Sequence, residues 1–247
     1  MHDDTKIGGP QARFPATRRT AVHATASDDA SERRRGWEAL VAAYWKPVYK
    51  YIRLQWQEEN EGAKDLTQGF FARAMEKDFF RSYDPARSSF RTYLRTCVDG
   101  FVANERKAAG RLKRGGEVTL VALDFEGADG EMRDHPVADG VSMEEYFRRE
   151  WVRSLFGLAV DKLRSECEAR GKMVHFELFE RYDLEEEEVD YQDLARETGV
   201  PVTQVTNYLA WARREFRRLV LDELREVSGS EEEFQREARA LLGVDGT

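Results

Sequence analysis

Two groups of side chains have types and spacings suited to chemistry with nucleic acid. Thr203, Gln204, Thr206 and Asn207 crowd together, and Arg213, Arg214, Arg217 and Arg218 follow them. Hydroxyl and carboxamide groups in the first turns of a helix can pair with base edges, and guanidinium groups further along can hold phosphates. Upstream, Phe79, Phe80, Tyr83, Phe90, Tyr93 and Phe101 interleave with Arg81, Arg87, Arg91 and Arg95. That mixture suits an unpaired strand, whose bases stack on rings while cations follow the backbone. Most of these rings are expected in a core, with Tyr83 the first choice for a base contact. Asp65 and Gln68, one turn apart, share a helix face on which a partner protein can dock.

Bond-making chemistry is not written in the same way. Glu61 and Asp65 could pair as carboxylates, but no histidine, third acid or glycine-rich phosphate loop accompanies them. His2, His23, His135 and His175 lack metal-ligand spacing. Cys97 and Cys167 lie far apart and read as small buried apolar residues. No catalytic residue, metal or cofactor is therefore expected, and the chain is not read as an enzyme.

A chain of 247 residues can bury one full core or two small ones. With 41% hydrophobic and 35% charged residues it reads as folded, strongly solvated and helix-rich. No apolar run nears the roughly 20 residues of a membrane span, and no signal-peptide core opens the chain, so a cytoplasmic protein is expected. The formal net charge of −8 looks unfavourable for DNA, yet a duplex meets the local field. Between residues 91 and 114 seven basic residues outnumber the two acids Asp99 and Glu105, a local +5. The acids gather instead at 183–190 and 231–233.

The elements that must position these groups follow from periodicity. Residues 1–30 lack it and are expected to form a disordered arm. Trp37, Leu40, Val41, Tyr44, Val48, Tyr51 and Ile52 recur at helical steps, on one helix or on a pair broken near Pro47. Further helices are expected over 61–81 and 88–113, separated by a turn at Tyr83, Asp84 and Pro85. Residues 115–141, with several glycines and a β-prone piece at 118–125, read as a linker holding at most a small hairpin. Ser142 and Glu145 spell a capping box for a helix to about 169, and another helix covers 172–182. A final amphipathic helix at 230–242, with Phe234, Ala238, Leu241 and Leu242 on one face, should dock on the preceding domain or on a regulator. The expected fold is all-α: a helical domain at 31–114, a linker, a second helical domain at 142–228 and an extension at 229–247.

The second domain carries a helix-turn-helix at 191–219. Ala195, Gly199 and Val205 supply a small residue, a turn and a buried β-branched residue at the spacing that lets two helices cross. Val205, Leu209, Ala212, Phe216 and Leu219 then form a buried stripe that turns Thr203, Gln204, Thr206 and Asn207 outward.

The succession Glu61-Gly-Ala-Lys-Asp65-Leu66-Thr67-Gln68-Gly-Phe-Phe71, then Tyr83-Asp-Pro-Ala-Arg87-Ser-Ser-Phe90-Arg91-Thr-Tyr93-Leu94, a basic helix, a linker and a helix-turn-helix resembles the bacterial sigma-70 family. The resemblance covers roughly 37–114 and 172–225 and is greatest to the small extracytoplasmic-function group, which keeps only regions two and four. It implies that Asp65, Leu66, Thr67 and Gln68 grip the β′ clamp helices of core RNA polymerase. It also implies that the loop at 82–90, with Tyr83, Arg87, Arg91 and Tyr93, captures a base flipped from the melted minus-ten element. Asn104, Arg106, Lys107 and Arg111 would face minus-ten DNA. Residues 191–218 would be region four, docked on the β flap and reading the minus-thirty-five element. Two positions depart from the pattern: Tyr93 stands where the family usually has tryptophan, and Gly100 where it often has asparagine. The acidic linker either threads the polymerase cleft or is a solvated tether, and an anti-sigma factor or other regulator is a further partner the family suggests. The alternative is a helix-turn-helix regulator that acts alone, its front half a dimer interface.

Overall fold

The computed structural model describes residues 20–109, 123–134, 140–185, 187 and 189–243. Among them it holds ten α-helices and no strand. Helix α2 (Ala30–Gln55) is the spine of the front half. Asp29 starts it by accepting the Glu32 amide at 2.8 Å. It runs unbroken through Pro47, which removes one backbone hydrogen bond. The helix survives because Tyr44, Val48, Tyr51 and Ile52 on both sides of the proline are fully packed.

Helix α1 (Ala21–Ala24) lies in the stretch expected to be a disordered arm. Its small residues Ala21, Val22 and Ala24 are buried, and it packs on the start of α2. Too short to show a period, it was legible only through the surface that receives it. The rest of that arm, 1–19, lies outside the described residues.

Helix α3 (Asn60–Glu76) and helix α4 (Phe90–Ala109) pack beside α2, joined by a 3-10 turn at Phe79–Ser82. The turn is entered through Asp78 in the left-handed region, φ 49°. Phe80 seals the junction, stacked 4.9 Å from Trp37 and edge-on to Phe90 at 5.1 Å.

The expected linker contains a helix, α5 (Phe125–Asp134), and no hairpin is present at its described residues. The β-prone residues 118–122 lie outside them. Two glycines disfavour this helix intrinsically. Packing overrides them: Phe125 sits edge-on to Trp45 at 5.3 Å and to Tyr49 at 5.2 Å, and Ala128 is buried beside them. Charges fasten the other edge. Arg53 pairs with Asp129 at 3.1 Å, and Lys46 and Lys50 meet Glu131 at 2.8 and 2.7 Å. Burial pulls the Glu131 carboxyl upward, but the two ammonium groups outweigh it and hold it below its usual range. The Arg133 hydrogen bond does the same for Asp129. Carboxyls depressed in the folded state stabilise it above their unfolded pKa, and that contribution is lost as pH falls through the lower folded value. Docking of α5 is therefore expected to hold at pH 5 and to weaken progressively below about pH 4. Faster amide exchange at 125–134 than at 40–52 on acidification is the measurement.

Helix α6 (Met143–Ala169) begins on the predicted cap, the Glu145 amide donating to Ser142 Oγ at 3.1 Å. Its buried residues Phe147, Trp151, Leu155, Ala159, Leu163 and Cys167 fall every fourth position. Four residues overshoot a 3.6-residue turn by about 40°, so this stripe winds roughly 200° around the helix from end to end. The first three enter the front cluster, and the last three enter a second cluster. Helix α7 (Met173–Phe179), extended by a π turn at Glu180–Leu184, helix α8 (Tyr191–Thr198) and helix α9 (Val202–Glu226) complete that second cluster.

The distal part of α9 and helix α10 (Glu231–Leu242) return to the front. Leu224, Val227, Phe234 and Ala238 belong to the front cluster, and Arg35 pairs with Glu226. Helix α10 thus docks on the front half as well as on α9, where its sequence had suggested the preceding domain or a regulator.

Candidate nucleic-acid interface

Helix α8 and the first turns of α9 form the helix-turn-helix. Asp190 starts α8 by accepting the Gln192 and Asp193 amides at 2.7 and 2.8 Å. Gly199 ends it at φ 71°, a left-handed conformation open to glycine at little cost, and its amide bonds back to Ala195. Leu194 and Val205 are fully buried where the helices meet, and Leu209, Ala212 and Leu219 continue the stripe. Thr203, Gln204, Thr206 and Asn207 are exposed at the N-terminal turns of α9. His175 supports this helix from behind, stacked 3.9 Å from Tyr208 and edge-on to Trp211.

The four candidate arginines, Arg213, Arg214, Arg217 and Arg218, divide into two kinds. Arg213 is engaged by Asp183 at 2.9 Å and lies over the Tyr182 ring. Arg218 is held by Glu166 and Glu215 at 3.0 Å and by Asp222 at 2.9 Å. Arg214 and Arg217 are exposed, and Glu215 approaches Arg214 at 4.0 Å. These two present the basic edge that continues from Thr203 to Asn207.

In the front half, Asp65 is exposed and Gln68 half-exposed on α3. Leu66 leans on the front cluster, and Thr67 is fully buried, its hydroxyl donating to the Ala63 carbonyl at 2.7 Å. Thr67 therefore holds the helix rather than meeting a partner. Of the loop residues, Arg87 is exposed, while Tyr83 is half-buried between Phe90 and Tyr93 at 5.2 and 5.3 Å. The Tyr83 hydroxyl lies 3.1 Å from the Ser88 carbonyl and 3.0 Å from a Glu233 carboxylate oxygen. Burial, and then the Glu233 charge, push its phenol well above the usual tyrosine range. Arg91 is mostly covered: it pairs with Glu237 at 3.1 Å and lies over the Trp151 ring at 4.7 Å.

Tyr93 donates to the Phe79 carbonyl at 2.7 Å, and its hydroxyl oxygen lies 2.9 Å from Ser82 Oγ. Its ring helps line a groove of about 450 Å³ with Arg73, Lys77, Phe79, Phe101 and Asn104. Gly100 also borders this groove, and a side chain there would meet open space. Asp78 and Glu105 line it as well, and Arg73 and Lys77 both pair with Glu76, so the rim carries both signs; the aromatic walls suit a stacked nucleobase.

No protein-family model, curated protein or solved structure matches the chain.

On the outer part of α4, Asn104 and Lys107 are exposed. Arg106 is turned back, its Nε donating to Glu58 at 2.8 Å and its guanidinium lying over Trp56. Arg111 lies outside the described residues. Sequence reasoning missed Glu233 and Glu237, which carry no positive charge and sit far along the chain from the loop they touch. One signal was present: Ser230 and Glu233 have capping-box spacing, and Ser230 Oγ does accept the Glu233 amide at 3.1 Å. The glutamate carboxylate then turns to the front half instead of completing the box.

Proposed function

We propose that this chain is a sigma factor of the sigma-70 family, extracytoplasmic-function-like, that brings core RNA polymerase to promoters and helps melt them without catalysing bond chemistry. The observation that carries the reading is the helix-turn-helix. Its glycine-terminated turn leaves Thr203, Gln204, Thr206 and Asn207 together on one exposed edge, with Arg214 and Arg217 beyond. That edge would read the minus-thirty-five element, with the rest of region four on the β flap. The Phe79, Tyr93 and Phe101 groove, together with Asn104 and Lys107, would take the minus-ten strand. Melting costs a few kcal/mol per unstacked step, which base capture in such a groove offsets. Asp65 and Gln68 would dock the β′ clamp helices. No described helix is long and apolar enough to cross a membrane.

Run-off transcription with purified core RNA polymerase and genomic promoter fragments is the test. The expected result is initiation at discrete sites that depends on this chain and fades as salt rises, because phosphate contacts release counterions. Operator binding that is tight without polymerase, with no start site on any fragment, would instead identify a helix-turn-helix regulator acting alone.

A further inference from the structure

The last helix closes over the loop at 82–90. Glu233 is buried, 6% exposed, and its carboxylate oxygens accept three hydrogen bonds: the Phe90 amide at 2.8 Å, the Gly229 amide at 2.9 Å and the Tyr83 hydroxyl at 3.0 Å. One turn on, Glu237 is 5% exposed and pairs with Arg91 at 3.1 Å. Next to each of them in the chain, Phe234 and Ala238 enter the front cluster, with the Arg225 guanidinium over the Phe234 ring. The approach is close enough that Gly229 packs directly on the Tyr83 ring, where a Cβ would collide with it.

We propose that α10 is an intramolecular latch: in the free chain it holds the 82–90 loop and Arg91 closed against nucleic acid, and its departure opens them. The inference rests on the proposed function for the identity of the strand that takes the loop. Two physical points support it. First, the groups that α10 occupies are an amide at the start of a long helix, a phenol hydroxyl and a guanidinium, all donors with a positive end. A phosphodiester strand entering the loop needs those same donors, so strand and α10 exclude one another. Second, α10 is a 12-residue helix with four buried residues, two of them the glutamates that face the loop. A short element with few buried apolar side chains opens at lower cost than the cluster it sits on. The latch also explains why Tyr83 and Arg91, chosen from the sequence as DNA contacts, are engaged here within the chain.

The experiment uses the full chain and two readouts, amide exchange at 88–94 and anisotropy of a fluorescein-labelled oligothymidylate. Glu233→Gln with Glu237→Gln is expected to lower protection at 88–94 by about tenfold or more, the scale of losing charge-assisted hydrogen bonds. Oligothymidylate affinity should rise by a similar factor. Glu232→Gln, a charge change on an exposed residue of the same helix, should leave both readouts at the parental values. Gly229→Ala opens the latch by collision without altering charge, and should act like the first pair. It also carries the test alone if the carboxamide pair fails to fold. Unchanged protection in the opening variants, or lost protection without tighter strand binding, overturns the latch. Capture of core RNA polymerase by the parent chain is measured alongside. Its failure with the latch results positive removes the sigma reading and keeps the latch; the reverse outcome removes the latch alone.

Discussion

An Asp65→Arg variant is expected to lose capture of core RNA polymerase by about 30-fold or more, the consequence of placing a like charge, worth several kcal/mol, in a charge-matched interface. Gln68→Ala should weaken capture less, since it removes a hydrogen-bonding group without adding repulsion. Both residues lie on the solvent side of α3, and Asp65 is exposed. Their substitution should therefore shift unfolding free energy by no more than about 0.5 kcal/mol. Pull-down of β′ with parent and variant chains, paired with urea unfolding, separates a lost contact from a lost fold. Equal capture by parent and Asp65→Arg would remove this face from the polymerase interface and return the front half to the dimerisation alternative. Thr67→Ala is a poor version of the same experiment, because that hydroxyl is buried on Ala63 and its loss acts on the helix.

The largest stability effect is expected at Lys50. Its side chain is 2% exposed, and its ammonium donates to Glu150 at 2.6 Å, itself 3% exposed, and to Glu131 at 2.7 Å. Three elements meet on that one nitrogen: α2, α5 and α6. Lys50→Met keeps the apolar stem but leaves Glu150 buried with Arg153 as its remaining cation, at 2.7 Å. Breaking a buried pair in this way costs about 3–5 kcal/mol, and urea unfolding should show it. Adding Glu150→Leu should recover most of the loss, since it is the buried carboxylate left with one exposed cation, rather than the missing attraction, that destabilises. A single-variant loss below about 1 kcal/mol would put the pair on the scale of solvated ion pairs.

Much of the fold was legible because it rests on local periodicity. The stripe from Val205 to Leu219, the Gly199 turn and the Ser142 cap each depend on residues within a few positions, and each appears where its spacing placed it. What stayed illegible depends on partners far along the chain. Helix α5 has two glycines and only Phe125, Ala128 and Met132 to recommend it, and it forms because Trp45, Tyr49 and Lys50 receive it. Helix α1 is four residues of mostly small side chains whose burial is decided by α2.

The candidate interface divides on the same principle. Exposure of Thr203, Gln204, Thr206 and Asn207 follows from the buried stripe beside them, so it could be read directly. Which arginine is engaged could not. Arg213 and Arg218 differ from Arg214 and Arg217 through Asp183, Glu166 and Glu215 on neighbouring turns and helices. Arg91 reads as a DNA contact in any local window, and only Glu237, 146 positions later, shows its other use.

The winding stripe of α6 sets a phase as well as a contact. Because Leu155 faces the front cluster and Ala159, one turn later, faces the other, the two halves are clocked to each other through a single helix. Inserting or deleting one residue between them would turn everything downstream by about 100° and shift it by about 1.5 Å. Leu224 and Phe234 would then miss the front cluster although every residue of both halves was unchanged. The length of this helix is thus constrained as tightly as its composition, and indels, which surface loops absorb, should be selected against between residues 147 and 167.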